Sequence, residues 1–136
     1  MTGDPQPSPP DPLARRTATA IAVVRVGFGI GALAFTRPAL KFLGFGEPDG
    51  TSVALARLAG GRDIALGVHG LLVRDDPDRL RESSLLAAAV DAGDAGAFAT
   101  AILSRDGIDR TAWMNLPVAG SAVVAGVWVA SRLGSR

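Results

Sequence analysis

The chain has no cysteine, a single histidine (His69) and a single lysine (Lys41) among its 136 residues. Without cysteine there is no disulfide, no thiolate nucleophile and no cysteine metal site. One histidine is too few for a histidine-based metal centre. No metal and no cofactor is therefore expected. A charge surplus is also lacking: fourteen Lys and Arg stand against thirteen Asp and Glu, a formal net charge of +1. That leaves no basic footprint for nucleic acid. The long apolar stretches have no charged face of the kind a soluble helix turns to water. Nor does the chain open with the order of a secretory signal, a basic segment followed by a short apolar one.

What remains is strongly apolar. Hydrophobic residues make up 48% of the chain and the mean hydropathy is +0.28. The length fits one domain. Charges crowd into the N-terminal segment and the turns, leaving four long apolar stretches. Arginine outnumbers lysine, and Ala and Gly are the commonest residues, the bias of a high-GC bacterial genome. The fold class expected is all-α: a four-transmembrane-helix bundle with short loops and a disordered N-terminal tail, its partner the lipid bilayer.

Residues 1–16, rich in Pro, Asp and Ser, read as the disordered tail, and 17–136 as the membrane domain. Span one covers about Thr17 to Thr36, after Arg15 and Arg16 and before Arg37-Pro38. Proline disfavours helix in the residue before it, which ends the span there. Ala39 to Gly46, with Phe42 and Phe45 beside Lys41, reads as a short interfacial segment. Glu47-Pro48-Asp49-Gly50 is a turn, with Thr51 or Ser52 as the next N-cap. Span two then covers about Ser52 to Val73, span three about Ser83 to Leu103 and span four about Thr111 to Leu133. Roughly 20 residues at ~1.5 Å each cross a hydrocarbon core of ~30 Å. Trp113 and Trp128 stand roughly 22 Å apart along span four, one near each interface. Asn115 and Pro117 mark a helix start or kink there.

Orientation follows from Lys and Arg outside the spans. Arg15, Arg16, Arg74, Arg79, Arg81, Arg132 and Arg136 lie on one side; Arg37, Lys41, Arg105 and Arg110 lie on the other. The surplus places both termini in the cytoplasm, in a multi-pass protein of the cell membrane.

Three spans carry small residues at spacings of three and four. These are Ala18, Ala22, Arg25, Gly29, Ala32 and Thr36 in span one, and Ala56, Gly60, Asp63, Gly67 and Gly70 in span two. Span three has Ser84, Ala87, Asp91, Asp94 and Phe98. Each set lies on one helix face. Small faces are how membrane helices approach closely, because lipid supplies no hydrophobic drive for association. At ~1.5 Å per residue from the cytoplasmic ends, Arg25 and Asp91 lie ~12 Å deep, and Asp63, Arg62 and Asp94 ~15–16 Å deep. Arg25, Arg62, Asp63, Asp91 and Asp94 are therefore expected to form one mid-membrane cluster. Arg57, ~24 Å from that side, is placed to snorkel to the opposite face. Gly27 and Gly31 form a small pair on another face of span one, for internal packing or for dimerisation.

Two readings of the cluster stand side by side. In the structural one, Arg and Asp neutralise each other and pin helix register. In the functional one, they line a polar pocket that binds a small lipophilic or lipid-like molecule, transforms one, or relays protons. Arg25 and Arg62 would then hold anionic or carbonyl oxygens, with Asp63 orienting an arginine. Asp91 and Asp94, at i and i+3, would share a proton and, with Asp63, supply acid–base catalysis in an isomerisation, cyclisation or ring opening. A proton-coupled transporter would require a homodimer, and an accessory membrane subunit would require no pocket. His69 reads as an interfacial residue bonded to backbone or headgroup, or as a proton port.

Gly61-Arg62-Asp63-Ile64-Ala65-Leu66-Gly67, followed by Val90-Asp91-Ala92-Gly93-Asp94-Ala95, resembles a bacterial family of small four-helix integral membrane proteins. That family carries a Gly-x-Arg-Asp-Leu-x-Leu-Gly-like motif in its second span and Asp-x-x-Asp in its third. Isoleucine stands here where leucine is commoner. The family is uncharacterised, so the resemblance implies a fold and positions rather than an activity. Asp91-x-x-Asp94 followed by Gly96 is also similar to part of the CDP-alcohol phosphotransferase signature, but that signature needs further spaced aspartates and an Ala-Arg on the same helix, and Ala97-Phe98 follows here.

Overall fold

The computed structural model describes residues 11–105 and 107–134. Five helices follow one another: α1 Pro12–Ala34, α2 Thr36–Phe42, α3 Gly50–Leu72, α4 Pro77–Ser104 and α5 Asp109–Leu133. No strand occurs among the described residues. Residues 1–10 of the expected tail lie outside them.

Helix starts differ from expectation for one shared reason. α1 begins at Pro12, ahead of Thr17, because Asp11 accepts from the Leu13 and Ala14 amides at 2.9 and 3.4 Å. Pro12 at the first helical position gives up no bond the helix would have made. The same pair, Asp76-Pro77, starts α4 well before Ser83. Asp76 accepts from the Asp78 and Arg79 amides at 3.1 Å each. Arg79, Arg81 and Glu82, expected in a loop, are therefore helical. At α3 the cap is Asp49, which accepts from the Ser52 amide at 2.7 Å, rather than Thr51 or Ser52.

Arg37-Pro38 does not end the first helix. The break falls at Phe35 (φ −125°, ψ 42°), and Pro38 sits in the first turn of α2, where an amide proton has no helical acceptor anyway. The expected interfacial segment is thus a helix that begins three residues early, at Thr36. Pro117 lies inside α5, which runs on through it.

α1 lies along α3, and α4 lies along α5; the two pairs meet mainly where α1 faces α5, while α3 and α4 touch sparsely. The interior is made of small side chains. Leu80 and Val129 are the largest that are fully enclosed, in a cluster with Ala14, Ala18, Val73 and Leu133 at the end where the termini lie. Bulky apolar residues face outward: Leu58 is 71% exposed, Trp113 63% and Leu103 84%. That inverted distribution suits a lipid solvent.

Three helices are long and apolar enough to cross a membrane: α1, α4 and the Arg110–Leu133 part of α5. Four were expected. α3 has the length, at 23 residues, but every 18-residue stretch of it contains Arg57, Arg62 and Asp63.

The α1–α3 seam is close backbone contact. A Cβ on Gly29 would lie 2.5 Å from the Gly60 carbonyl oxygen, and one on Gly67 would lie 2.6 Å from that of Ala22. Gly126 of α5 meets Ala88 and Ser84 of α4 in the same way. Gly27 and Gly31 do not pack internally: Gly27 is exposed, and nothing lies within 4 Å of a Cβ at either. Gly67→Ala should therefore destabilise the protein by about 1–3 kcal/mol, the usual cost of overpacking. Gly27→Ala should be neutral or stabilising. Thermal melting of both variants in one detergent checks this; equal melting temperatures would contradict the seam.

Candidate functional site

The five charged residues singled out in the sequence meet between α1, α3 and α4. Arg25, near the middle of α1, donates through Nη1 to Asp63 Oδ1 at 2.9 Å and through Nη2 to Asp91 Oδ2. Arg62 of α3 makes a two-pronged contact with Asp94 of α4, Nη1 to Oδ1 at 2.9 Å and Nη2 to Oδ2 at 2.7 Å. Parallel bonds of this kind fix orientation as well as charge. Arg62 Nη2 also lies 3.7 Å from Asp63 Oδ1. The result is one alternating chain, Asp91–Arg25–Asp63–Arg62–Asp94.

Its members differ in depth. The side chains of Arg25, Asp63 and Asp91 are buried, whereas Arg62 and Asp94 are about a third exposed, at 35% and 36%. The Nε atoms of Arg25 and Arg62 are buried without a protein partner. Beside Arg25 and Asp91, and bounded by Ser83 and Ser84, is a space of about 30 Å³. That has room for an ordered water and no more. The five side chains pair with one another, and the two buried Nε–H groups are left without a protein acceptor. Asp91 and Asp94 each pair with an arginine of their own, Arg25 and Arg62. Any acid–base step would first have to break an ion pair.

His69 is exposed, and its Nδ1 lies 3.0 Å from the hydroxyl of Ser83 on α4, a side-chain partner rather than backbone or headgroup. With Arg62–Asp94 it ties α3 to α4, whose backbones otherwise touch little. Arg57 is exposed toward the α1–α2 junction, where its Nε donates to Thr36 Oγ1 at 3.4 Å.

The roomy site lies elsewhere, and none of the five charged residues lines it. It is an apolar cleft of about 590 Å³ between the second half of α1, α2, the first turns of α3, and the facing parts of α4 and α5. All five phenylalanines of the chain line it: Phe28, Phe35, Phe42, Phe45 and Phe98. Phe35 and Phe42 are 68% and 83% exposed, so the cleft opens on the outer surface. Asn115 closes one side, donating to the carbonyls of Leu43 at 2.9 Å and Thr111 at 2.8 Å, which fastens α5 to the end of α2. Sequence reasoning missed this cleft. The available signal is the seven-residue spacing of Phe28, Phe35 and Phe42, which is about two helical turns and one continuous face.

No family model, curated protein or solved structure matches the chain.

Removing one partner of a buried ion pair leaves an uncompensated charge and typically costs about 3–5 kcal/mol. Arg25→Ala strands both Asp63 and Asp91 and should destabilise in that range. Arg62→Ala, at a half-open position, should cost clearly less. Detergent melting of the two variants checks the order; an equal or reversed ranking would show that Arg25 is not the centre of the chain.

Proposed function

We propose that the protein is a multi-pass membrane protein that binds a small lipophilic or lipid-like molecule in the phenylalanine cleft. The Arg/Asp chain is the structural pin that holds α1, α3 and α4 around it. In this reading α3 crosses the bilayer with α1, α4 and α5, its charges satisfied by the neighbouring helices instead of by water. Both termini face the cytoplasm, on the side richer in arginine. The likeness to small four-span membrane proteins belongs to this proposal too, and it implies a fold rather than an activity.

One observation carries the reading: a cleft of about 590 Å³, walled almost wholly by apolar side chains and open on the outer face. Ligand sites occupy about 300–1,000 Å³ and are mostly apolar with a few polar groups. Here those groups are Thr36, Ser52 and Asn115. A molecule dissolved in the bilayer would reach the cleft laterally, without passing through water.

Gly31 lines the cleft with open space before it, so Gly31→Phe should fill the cleft without straining the helix. Gly27→Phe points outward and is the control. After delipidation in a non-ionic detergent, hexadecanol binding is read by native mass spectrometry. The wild type and Gly27→Phe should carry one bound hexadecanol, and Gly31→Phe none. Equal loading of Gly31→Phe would sink the proposal. Separately, a reporter fused to either terminus should be active only as a cytoplasmic fusion; activity on the far side would reverse the orientation.

A further inference from the structure

Beside the cleft lies a second, smaller groove of about 310 Å³, and the two share Phe35, Thr36 and Pro38. The groove is lined by two guanidinium groups, Arg37 of α2 and Arg57 of α3. Both are exposed, and among the described residues neither has a carboxylate within 4.0 Å. Arg37 donates through Nη1 to the Pro48 carbonyl at 2.6 Å, and Arg57 through Nε to Thr36 Oγ1 at 3.4 Å. These contacts orient the two side chains without neutralising them.

The nearby acids are engaged elsewhere. Glu47 is held by Lys41 at 2.8 Å, and that hydrogen bond, with a smaller effect of Arg37, holds its carboxyl below the usual range. Asp49 caps α3 through Ser52. The arginines at the middle of α1 and α3 are matched, Arg25 by Asp63 and Asp91 and Arg62 by Asp94. Arg57 breaks that pattern. At ~1.5 Å per residue it stands about 10 Å along α3 from Gly50, short of the cluster.

We propose that the ligand of the cleft is an anionic lipid, its phosphate held by Arg37 and Arg57 in the groove and its acyl chain lying among Phe28, Phe35 and Phe42. This rests on the cleft reading above and adds the headgroup. Guanidinium is the side chain best suited to phosphate, since its planar donors match two oxygens at once. The hydroxyl of Thr36 lies on the boundary between the two compartments, where the headgroup joins the chain. Charge complementarity therefore selects an anion at one end, and the phenylalanine wall selects hydrocarbon at the other.

The test compares hexadecyl phosphate, hexadecanol and inorganic phosphate on the full chain in non-ionic detergent, using radiolabelled probes. The wild type should bind hexadecyl phosphate about tenfold or more tighter than hexadecanol, the scale of charge-assisted hydrogen bonds. The double variant Arg37→Gln/Arg57→Gln should lose that preference and keep its hexadecanol affinity. Arg105→Gln/Arg110→Gln, charges on the same end of the protein but outside the groove, should keep the preference. Several results would overturn the headgroup assignment: no preference in the wild type, an equal loss in both double variants, or inorganic phosphate alone competing as well as hexadecyl phosphate. In each of these cases, a Gly31→Phe variant that still excludes hexadecanol leaves the cleft reading standing. If Gly31→Phe excludes neither amphiphile, both fall.

Discussion

Arg25 is the residue on which the rest of the arrangement depends. A helix in lipid gains nothing by burying leucine against a neighbour, because the acyl chains are as apolar as leucine. Something else must hold the helices. Here α1 presses its small face onto the glycines of α3, and at the centre of that seam its one interior cation bonds Asp63 of α3 and Asp91 of α4. The seam brings the guanidinium to the acids; the acids in turn fix the register of the seam. α3 and α4 have few other reasons to be neighbours.

The cleft is the consequence of the same economy of bulk. An interior of Ala, Gly and Ser lets α1 and α3 close up, but it cannot fill the space where the helices diverge. α1 stops at Ala34, the chain turns at Phe35, and α2 folds across the end. Phenylalanines line the gap that opens there without filling it. Asn115 keeps the gap from collapsing or spreading, because its amide spans from α5 to the end of α2. Rigid pairing in the middle and a spacious end are therefore two aspects of one packing solution.

This explains which parts were legible in the sequence. Small residues at helical spacing and charges at matching depths are both periodic, so Arg25, Arg62, Asp63, Asp91 and Asp94 could be assembled on paper. The geometry within the cluster was less accessible. Depth alone sets Asp91 beside Asp94, whereas side-chain reach gives each its own arginine. Asp11-Pro12, in the expected tail, and Asp76-Pro77, between the expected spans two and three, are each a cap followed by a first-turn proline, so both helices start earlier than apolar periodicity shows. The cleft was hidden because its phenylalanines were read one at a time. They are brought to one cleft by the turn at Phe35, which folds α2 across the end of α1.

The count of charges in the cluster, two arginines and three aspartates, looks unbalanced for a membrane interior until the order along the chain is considered. Acid and base alternate, so the buried arginine has an acid on each side of it. The surplus acid falls at one end, and that end is Asp94, the most exposed member. An excess charge costs least where water or headgroups can reach it. The buried part, Asp91, Arg25 and Asp63, shares in the charge of Arg62, whose Nη2 approaches Asp63 while binding Asp94. At the rim of the apolar cleft, Arg37 and Arg57 have no carboxylate within 4.0 Å among the described residues. In the proposed reading, the paired centre is the part that holds the helices and the rim arginines belong to the part that binds.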